Sequence, residues 1–205
     1  MAVMLDKKGL LLAGLMGALT LYFGGKEYLV LLLIFLALSV MATRYGEEEK
    51  KERGIYEYER SWENVLSNGL VPTVLAVASP VLGPFPFIIS VAAITADKFA
   101  SELGVLGKKK PIFLFTLKEV QPGTSGAISL FGTVMSFAGA LAIGAAAVLL
   151  YSMHPSSAFT IAAGGLVGSM VDSIAGIAEE KGIGNKSTSN LLCSLAGGIF
   201  GIYVK

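Results

Sequence analysis

Two acids lie inside long apolar runs of this chain: Asp97 in TADKFASELG and Asp172 in GSMVDSIAG. A third, Glu102, closes the first of those runs. An ionised side chain in the middle of a membrane helix costs about 2.5–3.5 kcal/mol on insertion scales, so an acid in such a run marks a working group. On a helix Ser101 shares the face of Asp97, and Glu102 lies about 140° round. Asp97 and Glu102 therefore reach one site if the helix ends or loosens near Gly104. Two carboxylates with no histidine beside them suit a hard cation such as Mg²⁺. The competing reading is an ion pair of Asp97 with Lys98 or another base. Asp172 serves either the same site or a buried hydrogen bond.

Other residues suit an anion. Arg60, Asn64 and Asn68 fall at i, i+4 and i+8, one stripe of a helix. The planar guanidinium fork matches phosphate, and capping or interfacial anchoring is the alternative. The stretch GKKKPIFLFTLKEVQPGTSG at 107–126 ends in Gly123, Thr124, Ser125 and Gly126 and leads into an apolar segment. Backbone N–H groups at a helix N-terminus attract anions. Thr124 and Ser125 add donors there, and Lys110 and Lys118 supply countercharge. No G-K-[ST] follows the glycines, so this is not a Walker A loop; a turn before an N-capped helix is the plainer reading. The last apolar segment opens with GNKSTSN, and Asn190 enters it about one turn below the interface.

These residues need a scaffold, and composition states which kind. Hydrophobic residues make up 54% of the 205 and charged residues only 15%, against about 25% in soluble domains. Mean hydropathy is +0.69. The spacing predicts an all-α integral membrane protein, one bundle of about seven transmembrane helices at 8–24, 27–44, 64–82, 85–103, 126–151, 157–178 and 188–204. With the N-terminus cytoplasmic, fourteen Lys and Arg fall on the inner side, and only Lys26 and Lys205 on the outer. The positive-inside rule then puts the C-terminus outside and the loops 45–63 and 104–125 in the cytoplasm. The first apolar run follows Lys7-Lys8 without a convincing cleavage site, which predicts a retained helix. The mixed-charge loop 45–63 reads as a solvated arm, residues 46–58 as a surface linker. Small residues in SFAGALAIGAAAV and AAGGLVGSMVDSIAG predict close helix packing.

Composition also excludes. A net charge of +1 gives no field for nucleic acid. The lone Cys193 has no basic neighbour and reads as a small buried apolar residue. His154 sits in a turn beside Pro155, so the chemistry does not rest on histidine. The remaining polar groups come from five helices at one depth, a cavity open to the cytoplasm. A nucleotide would reach it from water and an apolar substrate from the lipid bilayer.

The motifs RSWENVLSNG, TADKFASELG, KKKPIFLFTLKEVQPGTSGAISLFGT, GSMVDSIAG and the late Asn190 resemble, in order, the family containing plant phytyl-phosphate kinase and animal transmembrane protein nineteen. The likeness runs from about residue 60 to the C-terminus. TAD-x-x-ASE-x-G and PGTSG-x-x-S, whose last serine is Ser129, are its specific parts. The resemblance implies a membrane-embedded kinase that moves the γ-phosphoryl of CTP, or another nucleoside triphosphate, to an isoprenoid monophosphate. Phytyl and geranylgeranyl phosphate are examples. Carried over, Asp97, Glu102 and Asp172 would be catalytic, with Mg²⁺ on Asp97 and Glu102. Arg60, Asn64, Asn68, Thr124, Ser125, Gly126 and Asn190 match motif positions and would hold nucleotide and phosphate, with Ser129 of the same motif and with Gly123, Lys110 and Lys118 added from the reading of the loop itself. Lys98 and Phe99 depart from the pattern, standing where Thr or Ser and Trp are expected. A polyprenol kinase or a CTP-dependent cytidylyltransferase is the enzymatic alternative, and a small-solute or lipid transporter the non-enzymatic one. A transporter needs polar groups near the midplane reachable from both sides, and the outer halves here are nearly bare of them. Both a monomer and a homo-oligomer fit the sequence.

Overall fold

The computed structural model describes the backbone of residues 4–56 and 59–204, with side chains for 6–56 and 61–204. Among these residues the chain is overwhelmingly helical. The helices are α1 (Lys7–Gly24), α2 (Lys26–Arg44), α3 (Glu47–Glu52), α4 (Trp62–Val77), α5 (Ser79–Leu82), α6 (Phe85–Gly104), α7 (Leu130–Tyr151), α8 (Ser157–Glu180) and α9 (Lys186–Tyr203). Two ladders of two residues per strand complete it. β1 (Met4–Leu5) runs parallel to β2 (Glu59–Arg60), and β3 (Ile112–Phe113) antiparallel to β4 (Ala127–Ile128).

By length and composition alone, α2, α7 and α8 can cross a membrane. The burial pattern suits that solvent. Large apolar side chains such as Leu11, Leu15, Leu33, Leu130, Leu149 and Phe159 face outward, while Thr20, Ser39, Ser90, Thr95 and Ser194 are fully enclosed. Apolar outside with small and polar inside is how helices associate in lipid, where apolar burial gives little net drive. Enclosed hydroxyls are satisfied locally where they can be: Thr95 Oγ1 donates to the Val91 carbonyl at 2.7 Å.

α6 is the axis of the bundle. Every residue from Pro86 to Lys98 is buried, and α2, α4, α7, α8 and α9 all pack on it. Small residues allow this density. A Cβ at Gly165 would sit 3.1 Å from the Ala92 carbonyl carbon, and one at Gly197 would sit 2.8 Å from the Ile89 oxygen. At both points helix backbones touch.

Three elements differ from the sequence reading. The segment expected at 64–82 breaks at Ala78 into α4 and α5, and Pro80, which has no N–H to continue a ladder, lies just past the break. The segment expected to begin at 126 becomes helical only at Leu130, with Ser129 as its cap. Residues 127–128 are instead extended, because they pair with 112–113. The arm 46–58 is more than a surface linker: α3 turns Lys50 inward until it is 1% exposed.

Candidate functional site

α6 and α8 carry Asp97 and Asp172 toward the same end of the bundle from which α4, α7 and α9 start. Both acids are buried, at 4% and 6% exposure. Asn185 caps α9 by accepting from the Thr188 N–H, which fixes Lys186 as the first helical residue. Its ammonium then lies 2.7 Å from Asp172 Oδ2 and 3.6 Å from Asp97 Oδ1. Lys98, next in sequence to Asp97, brings a second ammonium to the cavity wall that these groups share. Asp97 Oδ2 and Asp172 Oδ1 are buried with no hydrogen-bond partner. Leaving such oxygens unpaired is costly; a bound cation or a proton shared between the two carboxyls would satisfy them.

These acids line a cavity of about 480 Å³. Its wall also holds Asn64, Glu102, Gly123, Thr124, Ser125, Gly126 and Ser129, with Lys98, Lys109, Ser136, Ser169 and Lys186. Nine of the fourteen residues expected at a site, Asp97, Glu102, Asp172, Asn64, Gly123, Thr124, Ser125, Gly126 and Ser129, share this wall, with Lys186 beside them. Others do not reach it. Lys110 lines a neighbouring depression with Arg53, Lys108 and Lys109. Lys118 lies at the β3–β4 end of the loop, where its carbonyl accepts from Phe113 N–H. Asn68 donates to the Asn64 carbonyl at 2.8 Å, its own Oδ1 unpartnered. Asn190 is 1% exposed, with both amide atoms unpartnered. The Arg60 side chain lies outside the described residues.

Glu102 has different company from that expected. Its Oε2 accepts from Lys50 Nζ at 3.0 Å, and its Oε1 from Thr43 Oγ1 at 2.9 Å. Lys50 Nζ also donates to the Ala42 and Thr43 carbonyls at 2.8 and 3.0 Å. These are last-turn carbonyls of α2, and a cation there satisfies both the orphan acceptors and the helix dipole. The arm is thereby fastened beside the cavity, and Gly54, Ile55 and Tyr56 line it. On the exposed face of α3, the hydrogen bond from Lys51 holds the Glu47 carboxyl below its ordinary pKa. Burial and the neighbouring Glu47 carboxylate raise the pKa of the Tyr56 hydroxyl.

The turn 123–126 is held from below. Gly123 and Gly126 have φ of 93° and 74°, a conformation open to glycine. A side chain at Gly176 on α8 would collide with the Gly126 nitrogen. The Ser125 N–H donates to Glu180 Oε1 at 3.0 Å, and Ser125 Oγ to Glu179 Oε2 at 2.9 Å. The turn is thus anchored by carboxylates at the end of α8, and it stands ahead of the α7 N-terminus instead of forming it. Thr124 Oγ1 donates to the Gln121 carbonyl.

Among the described residues, no group of three or more His, Cys, Asp or Glu side chains is arranged to hold a metal ion. Two carboxylates with open oxygens still fit Mg²⁺ that arrives on phosphates, since Mg²⁺ is commonly held by one or two carboxylates, waters and substrate oxygens. Asp97 and Asp172 are the pair that fit, because both Glu102 oxygens are engaged. Sequence reasoning left Lys50, Glu179, Glu180 and Lys186 out of the site. For Lys186 a signal existed: it stands four residues before Asn190, on the same stripe of α9.

A family model described as integral membrane protein DUF92 matches residues 1–195. An uncharacterised membrane protein of Methanocaldococcus jannaschii is 40% identical over 98% of this chain and 85% of its own length. An uncharacterised membrane protein of Synechocystis is 36% identical over 63% of this chain and 53% of its own. Protein PGR of Arabidopsis thaliana is 28% identical over 77% of this chain and 66% of its own. No solved structure matches.

Proposed function

We propose a function from one premise: the chain belongs to the DUF92 family of integral membrane proteins. It acts as a membrane-embedded kinase that transfers the γ-phosphoryl of CTP, or another nucleoside triphosphate, to an isoprenoid monophosphate. α1, α4, α6 and α9 join α2, α7 and α8 in spanning the bilayer, with the N-terminus and the cavity on the cytoplasmic side and the C-terminus outside. The observation that carries the reading is the pair of buried, unpartnered carboxylate oxygens, Asp97 Oδ2 and Asp172 Oδ1, on two residues that line a cavity with the 123–126 turn.

In the reaction, an oxygen of the acceptor monophosphate attacks the γ-phosphorus. The new P–O bond forms as the bond from the γ-phosphorus to the β–γ bridging oxygen breaks. A nucleoside diphosphate leaves, and the lipid becomes a diphosphate. The acceptor is largely ionised at neutral pH, with a second pKa of about 6, so no general base is needed. Catalysis is then positioning and charge neutralisation. Asp97 and Asp172 would hold Mg²⁺, which would supply charge neutralisation to the phosphates. Lys186, Lys98 and Lys109 line the wall and offer positive charge to phosphates. Ser129 and Asn64 orient them, while Thr124 holds the turn in shape through the Gln121 carbonyl. Glu102 keeps the arm in place through Lys50, and the apolar acceptor chain extends between helices into lipid.

Product analysis separates the readings. Released CDP supports the kinase, and released pyrophosphate supports a cytidylyltransferase. An unphosphorylated prenol as the preferred acceptor would indicate a polyprenol kinase.

A further inference from the structure

The charge balance of the site singles out Lys186. Asp97 and Asp172 are buried on the interior helices α6 and α8, whereas the Lys186 side chain is 44% exposed. The carboxylates are fixed, and the ammonium reaches them on a flexible stem from the solvent side. Asp97 Oδ2 and Asp172 Oδ1 stay without partners, as does Ser136 Oγ, a buried hydroxyl from α7 that lines the same cavity at 1% exposure. A compact ammonium between two carboxylates stands where a hard cation would bind.

The arithmetic then sets an order. Two carboxylates and the ammoniums of Lys186 and Lys98, which lines the same cavity, sum to zero. A divalent ion added alone brings the sum to +2 and sets cationic centres against one another. A phosphate anion arriving with the ion removes that excess and gives the ammonium a new partner.

We propose that Lys186 is an exchangeable counter-cation: it occupies Asp97 and Asp172 in the empty site, and yields them to a divalent cation only when that cation comes with a phosphate anion. This rests on reading the cavity as a divalent-cation and phosphate site, and holds whichever phosphoryl reaction the site performs.

The test is Mn²⁺ binding to the purified full-length protein, followed by electron paramagnetic resonance without nucleotide. Lys186→Gln should bind Mn²⁺ about tenfold more tightly than wild type or better. Lys186→Arg should stay near wild type, and Lys186→Gln with Asp172→Asn should lose the gain. Equal affinity of Lys186→Gln and wild type would overturn the proposal. A second measurement uses the unaltered protein. Acylation of Lys186 by an amine reagent, mapped by mass spectrometry, should change when Mn²⁺ and inorganic triphosphate are added together, and not with Mn²⁺ alone. A rate indifferent to both also overturns it. Because neither readout requires turnover, failure here is distinguishable from failure of the kinase reading.

Discussion

Lys50 and Glu102 form an ion pair of 3.0 Å across 52 positions of sequence, and Lys50 is almost wholly enclosed. The contact joins a highly charged arm to the axial helix just past Asp97. Removing one partner of a buried pair strands the other charge, at a cost of about 3–5 kcal/mol. Glu102→Gln should therefore lower the apparent Tm in detergent markedly. Lys50→Met should lower it less, since Glu102 is 14% exposed and retains Thr43. Equal losses in melting experiments would contradict this asymmetry.

Asp97→Asn and Asp172→Asn should each reduce turnover by about 10²-fold or more, the scale of losing one electrostatic stabiliser at a reacting centre. Both should still elute as the wild type does. At a temperature where all variants are folded, Glu102→Gln should cost less turnover than either. Initial rates across the three variants check the order, and a larger loss for Glu102→Gln would return that acid to the cation site.

Gly176→Ala should push the 123–126 turn away from α8, because the added methyl meets the Gly126 nitrogen. Overpacking of this kind costs about 1–3 kcal/mol. The kinetic signature expected is a higher KM for the nucleotide with little change in KM for the lipid acceptor. A shift confined to the acceptor would move the turn out of the nucleotide's path.

The parts of this fold that are local in sequence were legible in it. Long apolar runs such as those of α2, α7 and α8 announce membrane helices, and an acid such as Asp172 inside one is conspicuous. What depends on distant partners was hidden. In EEEKKE, the pair Glu47–Lys51 has the i, i+4 spacing of a solvated helix. Nothing local distinguishes Lys50, whose acceptors lie on α2 and α6. Likewise Gly126 reads as the start of a helix until Ala127 and Ile128 are seen to pair with β3. Lys186 reads as a helix-start lysine until Asp97 and Asp172 are brought to it.

The orientation proposed for the bundle is open to labelling. In a background without the buried Cys193, Lys109→Cys should react with an impermeant maleimide only from the cytoplasmic side, and His154→Cys only from the other. Reaction of both from one side would remove the proposed topology.

Phosphoryl transfer to a lipid phosphate can be followed directly. Purified protein in lipid nanodiscs, given Mg²⁺, CTP labelled in its terminal phosphate and geranylgeranyl phosphate, should move the label into the lipid fraction as a diphosphate and release one CDP for each. Asp97→Asn should give about a hundredth of that or less. Label remaining wholly in the aqueous phase across a panel of prenyl monophosphates and all four nucleoside triphosphates, with wild-type protein folded, would contradict it.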